Sequence, residues 1–462
     1  MFPTKDYAQR RRRLREQVES GLILFLGNGH APMNYADNPY PFRQDSSFLY
    51  FFGLDTPGLA AMIDADQGEE CVFGNDPTVD DIVWTGPQPL LKERCDQIGV
   101  STAAPFGQLQ NSLNKAVKQG RKVHFLPQYR ADNILLMQQL LKIAPATIRQ
   151  QASEALIKAV VAQRSIKTQQ EIEQIEAAID ISYEMHVAAM KLSRPGLYER
   201  EIAGAIEGSA ISKGSRPAFP TIFSIHGQTL HNPYYGNVMK DGDIAVHDSG
   251  AESALHYASD ITRTIPIGGK FSPRQKDVYS IVLQAQEKAI DVIKPGVEFR
   301  EVHRIACTVL AEGLKDLGLM KGDPQEAVQA GAHTLFFPCG LGHMLGLDVH
   351  DMEALGEDYV GYTETIKRNP DFGWRFLRLA KAVEPGFVVT VEPGLYFIGE
   401  LMDRWKAEQK HESFINYSKL EKFRDFGGVR IEDDVLVISD GCRLLGIPVP
   451  KSIEQVETIA LS

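Results

Sequence analysis

Two octapeptides one hundred residues apart constrain this chain more than any other feature. PGLYEREI at 195–202 recurs as PGVEFREV at 295–302, with Pro, Gly, a branched apolar residue, Arg, Glu and a second branched apolar residue in register. Each copy follows a stretch with helical patterning (about 168–192 and 273–293), opens another helix and precedes β-rich sequence. Such a duplicated α-α-β unit predicts two pseudo-symmetric halves packed together, with a site in the crevice between them.

The sequence before the repeat has a different texture. Short β-rich runs (GLILFLG, SSFLYFFGL, AAMIDA, CVFG, KVHFL) alternate with helix-like runs near 5–19, 88–98 and 131–143, so residues 1–165 read as a smaller mixed α/β domain. GNGH at 27–30 is too short for a phosphate loop and reads as a strand-end turn. A long helical stretch over 153–182 contains Thr168 and Glu171 at capping-box spacing, and the domain boundary is placed there, leaving 166–462 for the duplicated part. The fold class expected is therefore α+β, in two domains.

Charge and cysteine usage narrow the partners. Forty-nine Lys and Arg against 60 Asp and Glu give a net charge of −11, which argues against sequence-independent binding to nucleic acid. The basic run Arg10–Arg13 reads as a solvated helix face. The apolar segment Gly21–Leu26 behind it is too short for a signal peptide, and no run is long enough to span a membrane. Five scattered cysteines (Cys71, Cys95, Cys307, Cys339 and Cys442) without a C-x-x-C pair suggest neither a disulfide scaffold nor a cysteine zinc site, so a reducing, cytoplasmic setting is expected.

Histidine points to where the chemistry lies, since only His30 and His124 of the 12 precede residue 160. Beyond it, four β-like segments each carry an acid beside a glycine turn or strand end: DIAVHDSG with Asp248, YASDITRTIPI with Asp260, VVTVEPGLYF with Glu392 and GVRIEDDVLVI with Glu432. A carboxylate among Val and Ile is costly to bury unless it is paired or bound to a cation. GLGHMLGLDVHD adds His343 and His350 in glycine-rich surroundings. Four carboxylates and one imidazole suit two hard or borderline divalent ions, Mn²⁺ first, with Co²⁺ or Zn²⁺ as other occupants. Two ions roughly 3.5 to 4 Å apart meet the needs of hydrolysis at neutral pH.

The order of these motifs resembles the pita-bread metallopeptidase family (M24B), in its proline-peptidase branch of aminopeptidases P and prolidases. YADNPYPFRQDSSFLYFFGLD (35–55) and IVWTG (82–86) are similar to the non-catalytic first domain of that branch. The resemblance implies a pita-bread catalytic domain in which Asp248, Asp260, His343, Glu392 and Glu432 are metal ligands, with Glu432 bridging. It further implies that Glu392 shuttles a proton, that His231 and His350 stabilise the tetrahedral intermediate, and that Arg430 orients Glu432, with Tyr396 and Cys339 beside the site. The spacing of Asp248 and Asp260 is one residue longer than is usual, which predicts a bulge or longer turn in the hairpin. Cys339 stands where the family often has a histidine; it reads as a small pocket wall, with an oxidisable thiol as the sharper alternative.

The implied activity is that of an Xaa-Pro aminopeptidase acting on small peptides with proline in second position, with prolidase as the alternative. Arg368, Arg375, Arg378 and Arg404 are candidate clamps for a dipeptide carboxylate. Non-catalytic peptide-binding relatives and the metal-free amidinohydrolase branch have lost ligands, whereas this chain keeps all five. By analogy with the family a homodimer or homotetramer is expected, with Trp84 and Asp37 as the positions that approach a neighbour's site.

Overall fold

In the computed structural model, which describes residues 1–462, the two octapeptides are built alike. Gly196 and Gly296 sit at φ 89° and 86°, a left-handed turn that a side chain would strain. Gly196 N–H donates to Met239 O at 2.9 Å and Gly296 N–H to Val383 O at 2.9 Å. The bridges Tyr198–Val238 and Glu298–Ala382 correspond in the same way. Each octapeptide therefore closes a helix pair onto a returning strand: helices Gln169–Leu192 and Glu199–Ser212 in the first half, Pro273–Val292 and Phe299–Asp316 in the second.

The chain divides into two compact units, residues 1–164 with 353–359, and residues 165–352 with 360–462. The first unit holds a five-stranded sheet in the order β4-β3-β2-β1-β5, with β1 Leu22–Leu26, β2 Ala60–Asp64, β3 Glu70–Gly74, β4 Thr102–Pro105 and β5 Val123–Phe125. The strands β1/β2 and β2/β3 pair antiparallel, while β1/β5 and β3/β4 pair parallel.

Three readings of this region change. SSFLYFFGL is a helix over Ser46–Phe52, not a strand: all seven residues are buried, which hides any period. Its ends decide the form, because the Asp45 side chain accepts from Phe48 N–H at 2.9 Å and Gly53 closes the helix at φ 63°. Half of the basic run is interior, with Arg10 and Arg11 at 6% and 0% exposure. Arg11 is paired with Glu70 at 2.7 Å and donates to the Phe51 and Ile98 carbonyls, while Arg10 stacks over Tyr50 at 4.0 Å and donates to its carbonyl. The stretch 153–182 is two helices, because the Thr168–Glu171 capping box begins a new one at Gln169 after Glu154–Ser165 ends.

The second unit carries two three-stranded antiparallel sheets and a two-stranded one. The first sheet is β6 Ile222–Ser224, β7 Ile244–Ser249 and β8 Ile261–Pro266 in that order. The others are β10 Gly394–Tyr396 on β11 Gly428–Arg430, and β13 Cys442–Leu444, β12 Asp433–Val437 and β9 Val388–Val391. A bridge between Thr262 of β8 and Glu432, in the step between β11 and β12, joins the two halves. Helices and sheets enclose one apolar core, with Phe223, Ile265, Val282, Leu314, Tyr396 and Trp405 among its members.

Candidate active site

Each acidic candidate sits in β7 or at a strand boundary, held by backbone pairing. Asp248 lies in β7, opposite Ile222 and Thr262. Asp260 immediately precedes β8, Glu392 immediately follows β9, and Glu432 occupies the step between β11 and β12. Within the β7–β8 connection, the Glu252–Ala258 bridge closes a turn that passes through His256 at φ 65°. Gly250 is required there, since a Cβ would lie 1.7 Å from Ser259 O.

The histidine loop is laid along β9. His343 N–H donates to Thr390 Oγ1 at 3.1 Å, Thr390 N–H returns to His343 O at 3.0 Å, and Glu392 N–H donates to Leu341 O at 2.8 Å. Gly342 permits the approach, because a Cβ there would stand 2.0 Å from Thr390 O. His343 Nδ1 donates to Met344 O at 3.0 Å, which leaves the Nε2 lone pair free toward the carboxylates. Nε2 lies 3.4 Å from Asp260 Oδ2 and 3.7 Å from Glu392 Oε1. One ligand atom each of Asp260, His343 and Glu432 falls within 4.8 Å of the others.

The electrostatics are those of an anion cluster. Burial first, then the charges of Asp248, Asp434 and Glu392, hold the Asp260 carboxyl well above the ordinary range. Burial, then Asp260, Glu392 and Asp248, do the same to Glu432, and burial raises Glu392 against the pull of His343 and Arg430. Arg430 is the built-in countercharge: it donates to Asp248 Oδ2 at 2.6 Å, to Tyr396 Oη at 3.0 Å and to Thr262 Oγ1 at 3.0 Å. Asp248 Oδ1 is buried with no hydrogen-bond partner. The charges of Arg430 and Arg378 do not balance four carboxylates, and the deficit must be filled by protons or cations.

The three consecutive acids after Ile431 have separate tasks. Glu432 Oε2 accepts from Thr262 Oγ1 at 2.6 Å. Asp433 turns away to Arg263 at 2.6 Å and Lys451 at 2.8 Å, a buried network that ties β12 to β8. Asp434 Oδ2 accepts from Asp260 N–H at 3.0 Å and so fixes the backbone of that acid.

His350 stands edge-on to His343 with ring centroids 4.5 Å apart, and burial followed by the charge of His343 pushes it down to about 2. The loop that carries it is pinned by Asp351, which is paired with Lys167 at 3.0 Å with both side chains 1% exposed. His231 is exposed on the β6–β7 connection and is lowered by partial desolvation and by Arg430, with Asp248 opposing. Cys339 lies beside Glu392 and Tyr396, and burial followed by Glu392 pushes its thiol up to about 12, against the reading of a reactive thiolate. Of the candidate clamps, Arg378 is half-buried, and its charge acts on His231, His343, His350 and Glu392. Thr262, Arg263, Lys167 and Asp434 are not singled out by the sequence; Thr262, Arg263 and Asp434 lie inside the motifs YASDITRTIPI and GVRIEDDVLVI, which is their only signal.

Residues 173–439 match the model of metallopeptidase family M24, and residues 7–125 match that of the aminopeptidase P N-terminal domain. The chain belongs to metallopeptidase family M24. It is 31% identical to a human Xaa-Pro dipeptidase, over 98% of this chain and 93% of that one. It is also 31% identical to a probable Xaa-Pro aminopeptidase of Uncinocarpus reesii, over 99% and 94%. Among solved structures, aminopeptidase P of E. coli with the inhibitor Pro-Leu superposes with a TM-score of 0.82 at 29% identity, over 100% of this chain and 99% of that one. The expected M24 fold with its smaller N-terminal domain is thus present.

Proposed function

We propose that this chain is an Xaa-Pro aminopeptidase, hydrolysing the bond between an N-terminal residue and a following proline in small peptides. The reading rests on one observation above others: four carboxylates and an inward-facing imidazole nitrogen converge in a buried cluster with too little positive charge. Asp248, Asp260, His343, Glu392 and Glu432 would hold two divalent cations, manganese first, with cobalt or zinc also suited to an oxygen-rich donor set. The fit is supported by the unpartnered Asp248 Oδ1 and by carboxyls raised first by burial and then by one another's charge. When bound, such ions supply Lewis-acid activation of water and of the scissile carbonyl.

The chain's own groups do the rest. Glu392, whose carboxyl is raised by burial, takes the proton of the attacking water as its carboxylate and passes it to the leaving proline nitrogen. His350 and His231, both lowered and so neutral at pH 7, donate N–H to the developing oxyanion. Asp248, oriented by Arg430, meets the substrate's free α-amine, which restricts cleavage to the N-terminus. Arg430 and Tyr396 fix Asp248, and Thr262 fixes Glu432. The Xaa-Pro bond has no N–H to donate, so it needs a wall in place of an acceptor, and Cys339 beside Tyr396 and Glu392 would form part of that wall.

A homodimer or homotetramer accompanies this reading. The helix Val79–Thr85 buries none of its residues, and Val79, Val83 and Trp84 are 76%, 72% and 86% exposed, an apolar face suited to a neighbouring copy. A cytoplasmic location is proposed on the five free cysteines. No helix is long and apolar enough to cross a membrane.

Arg378 favours a second reading, that of an Xaa-Pro dipeptidase, because its charge acts on His231, His343, His350 and Glu392 and would serve to clamp a dipeptide's carboxylate. Hydrolysis of Xaa-Pro and Xaa-Pro-Yaa peptides side by side decides between them. The aminopeptidase reading requires cleavage of the tripeptide, with Arg378→Met affecting the dipeptide alone; exclusive cleavage of the dipeptide overturns it.

A further inference from the structure

A second group of buried ligating side chains in the same unit has no part in the chemistry above. His303 and Cys307 are four residues apart in the helix Phe299–Asp316 and so share one face. His333 comes from the short turn Ala332–Leu335. The three are 1%, 0% and 2% exposed, and one ligand atom of each falls within 4.8 Å of the others.

Two observations separate this cluster from an ordinary buried trio. Neither ring nitrogen of His333 has a hydrogen-bond partner, and native cores rarely leave a buried polar group so unsatisfied without an ion or ligand. Cys307 Sγ and His303 Nε2 are hydrogen-bonded at 3.5 Å, a separation that also suits donors bound tetrahedrally at Zn–N and Zn–S distances of ~2.0–2.3 Å, which stand about 3.3 to 3.8 Å apart. The third imidazole would need to shift only on the order of 1 Å to complete the set. Trp374 packs edge-on against both rings, at 4.8 Å from His303 and 5.7 Å from His333. It also lines a cavity of about 700 Å³ with Arg304, Thr334 and His411, next to two of the ligands in sequence, which offers an entry path.

We propose that His303, Cys307 and His333 form a mononuclear site for a borderline-soft cation, Zn²⁺, separate from the carboxylate cluster. Two imidazoles and a thiolate match zinc and select against manganese, which favours oxygen. Binding would release the Cys307 thiol proton to solvent and leave a fourth coordination position for water or a small ligand from the cavity. The clip joins the second repeat's helix to the segment leading into the His343 loop, whose Phe336 O accepts from Tyr396 N–H at 2.8 Å.

Cobalt substitution tests the site, because the carboxylate cluster contains no sulfur. Protein titrated with Co²⁺ should develop a near-ultraviolet thiolate-to-cobalt charge-transfer band amounting to one ion per chain. Cys307→Ser should abolish that band, while Glu432→Ala and Cys339→Ser should keep it, so the outcome is independent of whether the enzyme reading holds. X-ray absorption at the zinc edge of the otherwise unaltered Glu432→Ala protein should show one sulfur and nitrogen donors, which covers the case of a poorly folded Cys307 variant. Absence of any thiolate band in the wild-type chain, its loss in Cys339→Ser with retention in Cys307→Ser, or a zinc edge with no sulfur neighbour would overturn the proposal.

Discussion

Replacing Thr262 by Val tests whether the site depends on how Glu432 is held rather than on its presence alone. Thr262 is fully buried in β8, and its hydroxyl donates to Glu432 Oε2 at 2.6 Å while accepting from Arg430 Nε at 3.0 Å. Valine keeps the shape and removes both bonds. A hydrogen bond to a charged group contributes about 1.5–3 kcal/mol, and the Arg430 donor left without an acceptor adds about 1–3 kcal/mol of desolvation. Losing the group that orients a metal-binding carboxylate lowers metal affinity by roughly 10–100-fold. At 1.4 kcal/mol per tenfold that is about 1.4–2.8 kcal/mol, the range of the lost charged bond. Calorimetric titration of the chelator-stripped protein with Mn²⁺ should show that fall, alongside a lower melting temperature. Thr264→Val is the control, since the Thr264 hydroxyl bonds only the Arg430 backbone, donating to its carbonyl at 3.0 Å and accepting from its N–H at 3.1 Å. It should cost stability and leave affinity within threefold. Unchanged affinity in Thr262→Val, or an equal fall in both variants, would refute the reasoning.

Chelator-stripped protein should lose stability as pH rises: Asp260 and Glu432 have folded pKa values raised above the unfolded ones, so their contribution is full below the ordinary carboxylate range and disappears above it. Scanning calorimetry from pH 5 to 8 should show a falling melting temperature without metal and a flat one with Mn²⁺; parallel curves would contradict this. His186 and His247, stacked at 4.0 Å, act in the opposite direction. Burial holds His186 at about 3 and His247 well below its usual value, so stability is intact above the unfolded pKa of 6.5 and falls with acidification, by up to about 1.4 kcal/mol per pH unit for each. His186→Phe should flatten that acid limb in urea titrations at pH 4 to 6, and an unaltered slope would count against it. Cys339 should resist iodoacetamide at pH 7.5, and Cys339→Ser should keep kcat/KM within about threefold, because burial pushes its thiol up to about 12. Rapid alkylation seen by mass spectrometry, with matching loss of activity, would show that the thiol is reactive after all.

What the sequence revealed follows the range of the interactions. Asp248, Asp260, His343, Glu392 and Glu432 each sit in a short strand-and-turn motif whose local pattern survives in any fold, and the repeated octapeptide marks equivalent helix-to-strand closures. Thr262 was invisible as a positioning group because a threonine in a β-rich run needs no further explanation, and its partner Glu432 lies 170 residues away. The same holds for Lys167, whose partner Asp351 is 184 residues distant. Arg10 and Arg11 read as solvated because nothing local shows that the carbonyls of Tyr50, Phe51 and Ile98 accept from them. The Ser46–Phe52 helix reads as a strand in the sequence because complete burial removes the polar positions that would reveal its period.

Metal-dependent turnover tests the central claim most directly. The chelator-stripped chain, titrated with Mn²⁺ while hydrolysis of an Xaa-Pro-Yaa peptide is followed, should rise from no activity to saturation at two ions per chain, and Glu432→Ala should neither bind the pair nor turn over. Full hydrolysis by the stripped protein, or undiminished activity in Glu432→Ala, would contradict the account.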